Sequence, residues 1–169
     1  MRVLAPLLAA AALGGCGLHP LYGGSSGSTV AATMRSIAVG PIQGQSGWLV
    51  RNKLIDRLGQ PESGAAAYRL DVTLDDNITA FGLRSDRAAT QERRTLRARY
   101  QLVDTRNGMV VLDATAGSDA GIDIVSSEYA TVAAEQTALE NLSDIVADQI
   151  AARIGLYAAR TTPRHGAPK

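Results

Sequence analysis

The chain has one cysteine, two histidines, one tryptophan, one phenylalanine and five tyrosines among its 169 residues. A single cysteine makes neither an internal disulfide nor a cysteine-rich zinc site. His19 and His165 stand at opposite ends and offer no metal cluster. So few aromatics leave little to stack bases or sugars on. Seventeen Lys and Arg against sixteen Asp and Glu give a formal charge of +1. That balance excludes the strongly basic field of a nucleic-acid binder, and equally an acidic disordered chain. What the sequence does have is apolar residues, at 46 %. This is enough for one packed domain with tails.

The first residues read as a sorting signal. Met1 and Arg2 form a short positive start, followed by an apolar run from Val3 to Leu13 broken only by Pro6. The run is too short for a permanent transmembrane helix, which needs roughly 20 residues, and suits a secretory signal. It ends in Leu13-Gly14-Gly15-Cys16, a bacterial lipobox, in which small residues precede a cysteine that takes a diacylglyceryl group. A lipobox accounts for the only cysteine. Gly17 follows where an inner-membrane retention aspartate would stand, so the expected location is the outer membrane, facing the periplasm. The expected organisation is a signal peptide over 1–15, lipidated Cys16 and a flexible tether over 16–34, an α+β domain over 35–159, and a disordered tail over 160–169.

Within the domain, Ser36 to Ile42 is a short β-branched run and predicts strand one. Trp48 to Leu58 carries Val50, Leu54 and Leu58 at helical spacing, with Gly59 placed to stop the helix. Tyr68 to Leu74 alternates and predicts strand two. Arg94 to Leu102 alternates again, with Leu96, Ala98, Tyr100 and Leu102 on one side and Arg97 and Arg99 on the other. Asn107-Gly108 predicts a two-residue hairpin turn into a fourth strand from Met109 toward Val125, with a bulge at Gly117. Glu128 to Tyr157 reads as one long helix started by Ser126 or Ser127, with Val132, Leu139, Leu142, Val146, Ile150 and Ile154 inward. The order β-α-β-β-β-α implies a two-layer α+β sandwich. A four-stranded mixed sheet would have two helices on one face and a polar, wet face carrying Asp71, Thr73, Arg97 and Arg99 on the other.

Several local patterns carry no chemistry. Gly23-Gly24-Ser25-Ser26-Gly27 matches G-x-S-x-G without the strand and helix that a nucleophile elbow requires. Asp75-Asp76-Asn77 lacks the glycine and terminal glutamate of a calcium loop and reads as a strand end or turn. Trp48 reads as a core or interface anchor. No nucleophile, base and orienter come together, so the chain is expected not to be an enzyme and to need no cofactor or metal.

Cys16-Gly17-Leu18-His19-Pro20-Leu21-Tyr22-Gly23 resembles the lipidated N-terminus of α-proteobacterial LptE proteins, with Leu18 where an aromatic is usual. The resemblance continues in the order of elements, in Tyr68-Arg69-Leu70, in Tyr100-Gln101-Leu102-Val103-Asp104 and in Tyr129-Ala130. It implies a lipoprotein that plugs the lumen of the outer-membrane β-barrel LptD, helps that barrel assemble, and binds lipopolysaccharide on its way to the outer leaflet. An auxiliary lipoprotein of a phospholipid-transport system would share the signal, the tether and a similar layout.

Between Arg84 and Arg99 six arginines face only Asp86 and Glu92. Arg84, Arg87, Arg93 and Arg94 fall in or beside what reads as a long loop between strands two and three. They are the candidates for lipid A phosphates or an acidic partner, since guanidinium forks bind phosphate at two points. The plainer reading is a solvated loop in a chain whose cations are nearly all arginine.

Overall fold

The computed structural model describes residues 25–61, 66–83, 89–125 and 127–161. Its elements are α1 (Ser25–Arg35), β1 (Ile37–Val39), α2 (Gly44–Leu58), β2 (Tyr68–Leu83), β3 (Ala89–Asp104), β4 (Val110–Asp123) and α3 (Glu128–Thr161). The sheet order is β1-β2-β3-β4, with β1 parallel to β2 and the other pairs antiparallel. This is the mixed α+β sandwich expected from the pattern. One further helix, α1, occupies part of the segment read as tether, and its Met34 packs against the core.

Alternation explains the layering. Leu70 on β2 and Leu96, Ala98, Tyr100 and Leu102 on β3 are buried on one face of the sheet. Onto them pack Val50, Leu54 and Leu58 of α2 and Leu139, Leu142, Val146, Ile150 and Ile154 of α3. Gly59 ends α2 at φ 83°, its N–H donating to the Ile55 carbonyl at 2.8 Å; glycine takes that left-handed conformation without steric cost. A polar strap ties the two helices on their outer side: Lys53 Nζ donates to Asp144 at 2.6 Å, and Arg57 bonds both Asp144 and Asp148. At the base of the sandwich Tyr68 and Tyr157 meet edge to face, ring centres 6.4 Å apart.

Several expectations are corrected. Strand two does not end at Leu74, nor does strand three begin at Arg94. The two run as a continuous hairpin to Leu83 and from Ala89, each sixteen residues, about 50 Å of extended chain. Asp75-Asp76-Asn77 therefore lies mid-strand, where the Asp76 carboxylate has an arginine to meet across the ladder. The irregularity between β3 and β4 falls at Leu102/Val103 and not at Gly117.

The β3–β4 turn is wider than two residues. Asp104 N–H donates to the Met109 carbonyl at 2.9 Å, enclosing Thr105 to Gly108. Side chains build this loop: Asp104 accepts from the Arg106 backbone, and Asn107 Oδ1 accepts from Met109 N–H.

The first helix of the sequence reading starts at Gly44, four residues before Trp48. That start puts Gly47, Val50, Leu54 and Leu58 inward. Trp48 falls off this stripe and is 64 % exposed, so it is no core residue. Strand one is shorter than expected, three residues. The long helix continues past Tyr157 to Thr161, and its burial begins only at Ala138, which leaves Val132 exposed. Ser127 stands at its start, with its carbonyl accepting from Thr131 N–H at 3.1 Å.

Candidate ligand and partner surfaces

The hairpin of β2 and β3 sets where the candidate arginines lie. Arg93 and Arg94 are consecutive strand residues, so the pleat sends them to opposite faces. Arg93 is on the wet face, its guanidinium 5.5 Å from the centre of the Phe81 ring and 3.7 Å from Asp119. More than half of its side chain is open to solvent.

Arg94 is on the helix face and only 13 % exposed. Its Nε and Nη2 donate to the two oxygens of Asp76 at 2.9 and 2.7 Å, and its Nη1 donates to the Glu135 carbonyl of α3 at 3.1 Å. The Asp76 hydrogen bond is the largest of the influences that hold the guanidinium above its ordinary range, opposed by burial. Each terminal group is thus engaged within the domain, tying β2, β3 and α3 together. Arg84 and Arg87 lie outside the described residues.

One residue further along the helix face comes Glu92. Its Oε2 is buried without a hydrogen-bond partner. Burial, and then the neighbouring Glu135 carboxylate, push the Glu92 carboxyl above the usual range. Sequence reasoning names Arg94 but misses Glu92, although both continue the phase of Leu96 and Ala98. Polarity is the misleading signal: the expected strand starts at Arg94 and leaves Glu92 in the loop, whereas β3 already runs from Ala89 and both charges extend its helix face.

The wet face is a ladder of alternating charge and hydroxyl. Arg69 grips Asp71 at two points, Nε to Oδ1 at 2.8 Å and Nη2 to Oδ2 at 2.8 Å. Arg99 Nη2 donates to Asp113 at 2.9 Å, and Gln101 donates to the same carboxylate. The Arg99 bond is the first of the causes that hold Asp113 below the ordinary carboxylate range. Beside them a shallow hollow of about 480 Å³ opens over Thr73, Thr95, Arg97, Thr115 and Gly117.

At the tip of the hairpin and the start of α3, apolar side chains face outward: Ile78, Phe81, Val125, Tyr129 and Val132. Among the described residues no helix is long and apolar enough to cross a membrane. No group of three or more His, Cys, Asp or Glu is placed there to hold a metal.

The profile described as "LptE: Lipopolysaccharide-assembly" matches residues 34–154, most of the chain. The chain belongs to the LptE family. Solved structures share its fold. A lipoprotein from Caulobacter crescentus CB15 is 25 % identical with a TM-score of 0.63, covering 78 % of this chain and 97 % of its own. A minor lipoprotein from Acinetobacter baumannii is 15 % identical with a TM-score of 0.56, covering 73 % and 92 %. The rare lipoprotein B from Shewanella oneidensis is 11 % identical with a TM-score of 0.52, covering 74 % and 94 %. No curated protein matches the sequence. LptE membership makes this a bacterial envelope lipoprotein of lipopolysaccharide assembly, in a family that is not enzymatic.

Proposed function

We propose that this LptE chain is anchored through Cys16 in the outer membrane, fills the lumen of an LptD-type β-barrel, and binds lipopolysaccharide on its way to the outer leaflet. The observation that carries the barrel reading is the wet face of the sheet. Three of its arginines, Arg69, Arg93 and Arg99, pair with aspartates on the same face, so it presents a polar surface with its charges largely balanced. A barrel lumen is polar, and a face of this kind enters it without stranding uncompensated charge. Cys16 itself lies outside the described residues, and its lipidation rests on the lipobox.

The lipid meets the tip of the hairpin. Phe81 and Ile78 are exposed there and Arg93 is open to solvent; Arg84 and Arg87 follow β2 in the sequence, outside the described residues. Apolar surface beside guanidinium groups suits an amphipathic anion. Arg94 takes part as the strut that keeps the tip tied to α3.

Depletion of the protein tests the reading. The expected result is loss of correctly assembled barrel and of surface lipopolysaccharide. Unchanged levels of both would overturn it.

A further inference from the structure

We infer that the hollow on the wet face of the sheet is a binding site for an anionic saccharide, a sugar bearing a phosphate, with Arg97 as its anchor. The register places Arg97 at the centre of a grid of three strands. Asp75 and Gly117 flank it in its own row, Thr73, Arg99 and Thr115 form the row on one side, and Asn77, Thr95 and Asp119 the row on the other. The face's other guanidinium groups are all engaged: Arg69 with Asp71, Arg93 with Asp119, Arg99 with Asp113. Among the described residues the Arg97 guanidinium is the one on this face with neither ion pair nor hydrogen bond. Asp75 is its opposite number across the ladder, yet its carboxylate accepts from Asn77 Nδ2 at 2.8 Å and makes no bridge to Arg97.

Gly117 makes the depression. A Cβ there would stand 3.1 Å from the Leu96 carbonyl oxygen and 3.3 Å from Arg97 Cγ, so a side chain would both fill the space and press on the arginine stem. Gln149 of α3 holds that strand residue in place, accepting from Gly117 N–H at 3.0 Å and donating to its carbonyl at 3.3 Å. The space of about 480 Å³ lies within the roughly 300–1,000 Å³ of small-ligand clefts.

The chemistry of the rim selects the ligand. Arg97 offers only donors, in a fork that matches phosphate oxygens. Three threonine hydroxyls both donate and accept, and the Asp75 and Asp119 carboxylates accept only. A bare anion would use the arginine and be repelled by the two carboxylates. A phosphorylated sugar places its phosphate on Arg97 and its hydroxyls on the carboxylates and threonines. The inference deepens the lipopolysaccharide reading by naming a chemical class and a second place for it, but its support is the grid itself.

The test is a titration of the ¹⁵N-labelled full-length protein in non-ionic detergent with glucose 1-phosphate, glucose and inorganic phosphate, read at the amides of Thr95, Thr115 and Gly117. Glucose 1-phosphate should shift all three, and glucose and inorganic phosphate should do so much more weakly. Arg97→Gln should weaken the response about tenfold, and Thr115→Val should weaken it less. Arg69→Gln, on the same face but already paired, should leave it unchanged. An undiminished response in Arg97→Gln, or no response at millimolar ligand, would overturn the site. An equal response to inorganic phosphate would overturn the saccharide. Either failure with barrel co-purification retained would leave the assembly role standing and remove only the hollow.

Discussion

Arg94 and Asp76 meet diagonally across β3 and β2 as a two-point ion pair, Nε to Oδ1 at 2.9 Å and Nη2 to Oδ2 at 2.7 Å. Both side chains are mostly shielded from water, and the third guanidinium nitrogen reaches the α3 backbone. Removing one partner would leave the other charge poorly solvated. Arg94→Ala should therefore cost about 2 kcal/mol in stability, below the full figure for a completely buried pair. Arg93→Ala, its exposed neighbour, should stay within about 0.5 kcal/mol. Denaturant unfolding of the two variants separates them.

Glu92 works in the opposite direction. Its carboxyl is held above the ordinary glutamate range, first by burial and then by Glu135. Between the ordinary value and the raised one the folded state holds more proton than the unfolded state. Stability therefore falls as pH rises through that window and stays lower above it. Glu92→Gln should gain about 1 kcal/mol at neutral pH and nothing below about pH 4. Thermal midpoints across pH check this; a gain of equal size at both ends would contradict it.

The long helix is not uniform along its length. Ile150 is fully buried, whereas Val132 is more than half exposed although both fit the same apolar period. Ile150→Ala should cost about 2–5 kcal/mol, and Val132→Ala no more than about 0.5 kcal/mol. Hydrogen exchange should likewise find the first turns of α3 opening before the turns around Ile150.

Much of this fold is legible in the sequence. The alternation of Leu96, Ala98, Tyr100 and Leu102, the spacing of Val50, Leu54 and Leu58, and the stop at Gly59 are local signals, and each element appeared where its signal lay. The misplaced ends of strands two and three share one cause. Asp75, Asp76, Asn77, Glu92 and Arg93 look like strand end or loop because their polarity is judged residue by residue, but Asp76 stabilises extended chain by meeting Arg94 across the strands. Such a partner is eighteen residues away in sequence, and no local pattern announces it. The hollow at Gly117 was invisible for a related reason: it exists only once three strands align Arg97 between Asp75 and a missing side chain.

The lipobox yields its own prediction. Cys16→Ser should abolish incorporation of labelled palmitate and leave an uncleaved or soluble periplasmic product. Acyl label on that variant would contradict the anchor.

The central claim is partnership with a barrel, and the most direct measurement is purification of the full-length lipoprotein from gently solubilised membranes, with its bound partner identified by mass. The expected result is recovery with a large outer-membrane β-barrel of the LptD type. Recovery with an inner-membrane transporter, or of the lipoprotein alone under conditions that keep the barrel intact, would contradict it.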